Sequence, residues 1–169
     1  MAAISFPAEL YDELSEHLSR YAESVAFMLA APPDNDGVLR VQELRIVANE
    51  VPSPQPDHCE INDALRGEII QWAWNSGGCL IEAHSHGTLL LPARFSRFDI
   101  MQLSEWVPHV RWRLRGRPYV ALVTASREID GLVWIDDRLE AVDALLVDGQ
   151  APIQTTGLSM RDLERPRAR

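Results

Sequence analysis

Lysine is missing from this chain, and all 16 of its basic residues are arginine. Alanine and proline are plentiful, so a GC-rich genome accounts for this better than avoidance of self-modification by a lysine-conjugating system. Cysteine is scarce. Cys59 and Cys79 are the only two, which excludes a disulfide-stapled scaffold and fits a reducing cytoplasm. No stretch approaches about 18 consecutive apolar residues, so no membrane-spanning helix is expected. A basic patch leading into an apolar run is absent near Met1, so no signal peptide is expected either. Positive charge is in deficit, with 16 basic against 25 acidic residues and a net charge of −9. Such a chain has no net basic field to draw nucleic acid or an anionic membrane. Internal repeats and low-complexity blocks are also lacking.

What remains is an ordinary globular composition: 169 residues, 46% hydrophobic and 24% charged. That suits one domain able to bury about 70% of its unfolded surface. Ser5-Phe6-Pro7 reads as a helix start. Leu10, Tyr11, Leu14, Leu18 and Tyr21 then recur at helical spacing. Val25 to Ala30 is a continuous apolar run, read as a buried strand. Pro32 to Gly37 is a turn, and Val38 to Ala48 is the hairpin partner. Asn62 caps a second helix with Leu65, Ile69, Trp72 and Ala73 inward, stopped by Gly77-Gly78. Cys79 to His84 is a strand. Ser96 opens a third helix that Pro108 is expected to end or bend. Tyr119 to Ala125, Leu132 to Ile135 and Ala141 to Val147 are short strands. The predicted fold is α/β (α+β): one sheet with helices on its faces. The folded domain is expected over residues 1–149, with a tail-like, mobile segment over 150–169.

The chemistry concentrates in two short motifs. In His84-Ser85-His86, side chains two apart on a strand share a face about 6–7 Å apart. Two imidazoles so placed can converge on one zinc at about 2.0–2.1 Å each. Ser96-Arg97-Phe98-Asp99 is close to a capping box, and on a helix its first and fourth residues share a face. It can therefore supply a third, anionic ligand with a hydroxyl beside it. Glu23 stands at the junction of the first helix and the apolar strand. Two neutral histidines and one aspartate leave a fourth position open, as a catalytic zinc requires. A carboxylate such as Glu23 could then move the proton of a zinc-activated water.

The order Glu23, His84-Ser85-His86, Ser96-Arg97-Phe98-Asp99 resembles the JAMM (JAB/MPN-plus) metallopeptidases. Gly87 replaces a usual proline, and nine residues separate His86 from Ser96 where seven are common, a subfamily mark. The resemblance implies a cytidine-deaminase-like JAB/MPN sheet. It implies Glu23 as catalytic base, His84, His86 and Asp99 as zinc ligands, and Ser96 as oxyanion support. It further implies an isopeptidase (deubiquitinase-like) acting on a ubiquitin-like protein joined to a target amine, or processing its precursor, in a bacterial, cytoplasmic, plausibly antiphage setting. Val51 to Glu60 would line the groove for the substrate tail.

The rivals are a non-catalytic MPN scaffold and a metal-dependent hydrolase of a small molecule. Other signatures fail: there is no His-Glu-x-x-His, no Pro-Cys-x-x-Cys, and Thr88 stands where a metallo-β-lactamase needs aspartate. Cys79 lies an odd number of residues before His84, so it is expected on the opposite face as a buried thiol. Glu82 shares the face of His84 and could support a ligating imidazole.

Overall fold

A computed structural model describes residues 2–20, 24–47, 61–86 and 92–165. In chain order the elements are β1 (Ala2–Phe6), α1 (Ala8–Arg20), β2 (Val25–Ala31), β3 (Val38–Ile46), α2 (Asp63–Ser76) and β4 (Cys79–His86). They continue with α3 (Arg97–Arg113), β5 (Tyr119–Ala125), β6 (Glu128–Ile135), β7 (Arg138–Val147), β8 (Ile153–Gln154) and α4 (Leu158–Glu164).

The strands run in the order β1-β3-β2-β4-β5-β6-β7, and β1 pairs with β7 as well as β3. That pairing closes seven strands into a mixed barrel, with β8 added to β7. The expected cytidine-deaminase-like JAB/MPN sheet with helices on its faces is therefore corrected to a closed barrel carrying a few helices. The physical reason is β1. Ala2, Ile4 and Phe6 alternate inward with Ala3 and Ser5. A strand with one apolar face and two free edges stitches the sheet's two ends together. In the sequence, Pro7 is so good a helix opener that it disguises these residues as the approach to a helix.

Two cores follow from the closure. The interior gathers side chains from all seven ring strands, among them Ile4, Leu39, Met28, Ile81, Leu122, Val133 and Val142, with Leu14 and Leu18 of α1. It is filled, as a small barrel should be. Gly131 belongs to this tight packing: a Cβ there would meet Leu122 Cδ2 at 2.8 Å and Val142 Cβ at 2.9 Å. The second core lies outside the ring. Phe27, Leu29, Leu80, Tyr119, Ala121 and Val123 face outward under Ile69 and Ala73 of α2 and Leu103, Val107 and Val110 of α3.

Several local expectations are adjusted. α3 runs through Pro108 to Arg113. Proline removes the donor that the Ser104 carbonyl would use. Both residues are exposed, so water can serve that carbonyl, while the buried stripe Leu103-Val107-Val110 holds the helix on the barrel. β6 starts at Glu128 rather than Leu132. Asp130 and Gly131 masked its first half, because neither residue favours strands in general. Residues 150–165, expected to be tail-like, instead carry β8 and α4. They are anchored by a buried carboxylate, Asp130, that no local pattern announces. By contrast α2 starts at its Asn62 cap and ends at Gly77, whose φ of 73° suits glycine.

β4 and β5 are parallel, and α3 is the crossover between them. A parallel pair needs such a connection. The carboxyl end of β4 and the amino end of α3 are thereby brought together, which is where open α/β units place their ligands. No helix among the described residues is long and apolar enough to cross a membrane.

Candidate metal centre

The outward face of β4 ends in His84 and His86, and α3 begins with Ser96 and Asp99. The His84 and His86 Nε2 atoms stand 3.2 Å apart. His86 Nε2 is 3.1 Å from Asp99 Oδ2, and His84 Nε2 is 3.7 Å from Asp99 Oδ1. Candidate ligand atoms of the three residues all lie within 4.8 Å of one another. Tetrahedral zinc with bonds of about 2.0–2.1 Å would place its ligands about 3.3–3.4 Å apart, so the triad fits such an ion.

Hydrogen bonding alone explains the arrangement less well. An imidazole Nε2 either donates one proton or accepts one while the ring is neutral. Two Nε2 atoms facing each other and one carboxylate therefore share at most two protons among three close contacts, and the histidine pair itself can use only one. A cation at the common point would satisfy all three at once.

Asp99 has a second task. Ser96 caps α3 by accepting from the Asp99 N–H at 3.1 Å, and the Ser96 N–H donates to Asp99 Oδ2 at 2.6 Å. The capping box forms, and the same carboxylate still faces the imidazoles. Burial alone would raise its pKa, but the imidazoles of His84 and His86 beside it and the hydrogen bond from Ser96 hold it far below the usual carboxylate range. The positive end of the α3 dipole works in the same direction. The cap thus fixes the rotamer of a candidate ligand, as a supporting hydrogen bond does in metal sites.

The surroundings are mixed. The Phe95 ring lies 5.6 Å from that of His84, tilted by 57°. Side-chain exposures of 15% for His84, 22% for His86 and 18% for Asp99 leave the triad within reach of solvent. Glu82, two residues before His84, accepts from the Tyr119 hydroxyl, which in turn accepts from Trp106 Nε1 at 2.9 Å. Burial raises the Glu82 pKa, and burial together with the Glu82 charge pushes Tyr119 well up. Glu82 thus ties β4 to β5 and α3 through a polar chain. Sequence reasoning missed Tyr119 and Trp106 here, because their partner lies far away along the chain.

Cys79 faces the interior, fully buried, and burial pushes its thiol up to about 11. It takes no part in the triad. Glu23 lies outside the described residues, as do His58, Cys59 and the Val51 to Glu60 loop. Next to Glu23 in sequence, Ser24 is buried. Its N–H donates to Ser85 Oγ at 3.0 Å, and the Ser85 N–H donates to the Ser24 carbonyl at 3.0 Å. The start of β2 is thereby bound to the middle residue of the His-Ser-His segment.

No protein-family model matches this chain, and no curated protein matches it. Among solved structures, the chain is similar to a protein from Desulfitobacterium hafniense whose solution structure is known. Their TM-score is 0.52 at 15% identity, covering 87% of this chain and 94% of that one. A protein from Salinibacter ruber is also similar, with a TM-score of 0.43 at 22% identity over 91% of this chain and 96% of that one. The first likeness concerns the fold alone. The JAMM (JAB/MPN-plus) resemblance does not hold: seven strands close into a mixed barrel, no family model matches, and the likeness in fold is to the Desulfitobacterium hafniense protein. The metalloprotease, isopeptidase, deubiquitinase and antiphage labels came with that resemblance and lose its support.

Proposed function

We propose that this chain is a zinc-dependent hydrolase of acyl bonds, with His84, His86 and Asp99 holding the ion. The observation that carries the reading is the convergence of two Nε2 atoms and one carboxylate at mutual distances of 3.1–3.7 Å. Three ligands, with no fourth His, Cys, Asp or Glu in the group among the described residues, are what a catalytic zinc keeps, whereas a structural zinc is closed by four. When bound, zinc supplies Lewis acidity and lowers the pKa of a coordinated water toward about 7.

The chain's own residues do the rest. Asp99 brings negative charge held by the α3 cap. Phe95 shields one side of His84. Ser96 offers a hydroxyl beside the ligands. Glu23, sequence neighbour to the Ser24 that binds β4, is assigned as the proton acceptor. A cytoplasmic location is part of this reading and is supported by the free, buried thiol of Cys79.

The test is zinc binding and hydrolysis measured on one preparation. Substrates would be amide and ester reporters of differing acyl and leaving groups. Wild type is expected to bind one zinc and to hydrolyse at least one of these. His84→Ala should lose both properties, and Glu23→Ala should keep zinc and lose turnover. Zinc bound by wild type with no turnover of any acyl substrate would overturn the hydrolase reading. No zinc bound would overturn the metal centre.

A further inference from the structure

Asp130 is a fully buried carboxylate on β6. Its Oδ2 accepts from both the N–H and the hydroxyl of Ser159, at 2.8 and 2.6 Å. Its Oδ1 accepts from the N–H groups of Gly131 at 3.0 Å and Gly157 at 2.9 Å. Ser159, itself buried, also accepts from the Phe95 N–H at 2.9 Å. Two residues earlier, the Ala93 carbonyl accepts from the Thr156 hydroxyl at 2.7 Å, and the Ala93 N–H donates to Glu128 at 3.2 Å. The backbone just before the α3 cap is therefore pinned by β6 and by the start of α4. Arg94 and Asp162 add a part-exposed ion pair at 3.6 Å, which contributes little.

This pinned segment leads straight into the metal centre. Phe95 packs on His84, and the next residue, Ser96, holds Asp99 through its N–H. The two histidines ride on β4, in the middle of a hydrogen-bonded barrel. Asp99 rides on α3, whose first turn is located by Phe95. The distance between these two halves of the triad thus depends on a contact made by residues about 60 positions further along the chain.

We infer that Asp130 and Ser159 are positioning residues of the metal centre, so that docking of the 155–164 segment and metal binding are coupled. The inference rests on the triad being a metal site. Coupling between two binding events is reciprocal: whatever factor docking adds to metal affinity, the metal adds to docking. Without the Ser159 hydroxyl, the buried Phe95 N–H loses this acceptor, and because an unsatisfied buried donor is costly, the pinned geometry before Asp99 is no longer favoured. A hydrogen bond made directly to a ligand is typically worth 10- to 100-fold in metal affinity, and Ser159, which acts through Phe95 and Ser96, belongs at the low end of that range.

The experiment uses the full chain and zinc alone as the probe. Zinc affinity is measured by competition with a chromophoric chelator for wild type, Ser159→Ala, Ser159→Thr and, as a control of comparable thermal cost inside the barrel, Ile4→Val. Ser159→Ala should weaken zinc about tenfold, Ser159→Thr should restore most of that, and Ile4→Val should leave it unchanged. In wild type, saturating zinc should slow hydrogen exchange at the Phe95 and Ser159 amides. This second readout needs no variant and so survives a Ser159→Ala chain that fails to fold. Unchanged affinity in a folded Ser159→Ala chain, or exchange at those amides indifferent to zinc, overturns the coupling while leaving the metal centre standing. Wild type that binds no zinc overturns both, and the two failures are distinguishable.

Discussion

β4 shows one face to the barrel interior and the other to α3, and the two could hardly differ more. Inward go Cys79, Ile81 and Ala83, all packed within the interior core, and then Ser85, also buried. Outward go Leu80, Glu82, His84 and His86, which pass from a buried aliphatic through a hydrogen-bonded carboxylate to two imidazoles. The same eight residues thus pack the interior on one side and present the candidate ligands on the other, because alternate side chains of a strand point opposite ways. The interior face is apolar until Ser85, whose hydroxyl accepts from the Ser24 N–H. The outer face is graded, from the middle of the α2 and α3 cover to the open end where α3 begins. The candidate ligands stand where cover thins out and where a helix amino end and a strand carboxyl end meet.

Substituting each face in turn would sharpen or break this comparison. The largest contrast is Ile81→Ala against His84→Ala. Ile81→Ala should cost about 2–5 kcal/mol in stability by leaving a cavity, read by urea denaturation, with zinc affinity of the folded chain unchanged. His84→Ala should keep stability within about 1 kcal/mol and abolish zinc binding. If both variants lose zinc and stability alike, the two faces are not independent.

A smaller effect is expected at the cap. Ser96→Ala removes the acceptor of the Asp99 N–H but not the Ser96 N–H that holds Oδ2. It should cost about 1 kcal/mol and weaken zinc less than Ser159→Ala does. Denaturation and chelator competition report the two quantities separately.

The smallest effect is a pH dependence confined to the interior. Burial raises the Cys79 thiol from 9.0 to about 11. A group whose pKa is raised on folding contributes its stability below the unfolded value, and loses it as pH rises through the folded value. Stability should therefore decline from pH 9 toward 11, and the decline should be shallower in Cys79→Ala. At pH 8 alkylation mapped by mass spectrometry should modify Cys79 in the unfolded chain and spare it in the folded one. Rapid labelling of folded Cys79 would mean that the interior is open.

Much of the chain was legible before the structure. The helical spacing of Leu10, Leu14 and Leu18, the apolar run of β2, the Asn62 and Gly77 signals of α2 and the His-Ser-His strand are local patterns, and each element formed close to its expected bounds. The triad was legible too, since His-x-His on a strand and Ser-x-x-Asp at a helix start are short-range geometries. The resemblance drawn from them overreached. It read a global architecture from a motif of a few residues, and the strand that closes the barrel lay outside the motif. The supporting residues were not legible: Tyr119 meets Glu82, and Ser159 meets Phe95, across 37 and 64 positions respectively.

Periodicity, caps and turn residues act within a few positions, so the sequence by itself determined most of the helices and strands and which side chains share a face. Tertiary structure alone decided that β1 bridges β3 and β7, that α3 runs on through Pro108, and that the last segment clasps the loop before Asp99. Each of those outcomes depends on burial and on hydrogen bonds between residues far apart along the chain, and such partners exist only once the barrel has closed.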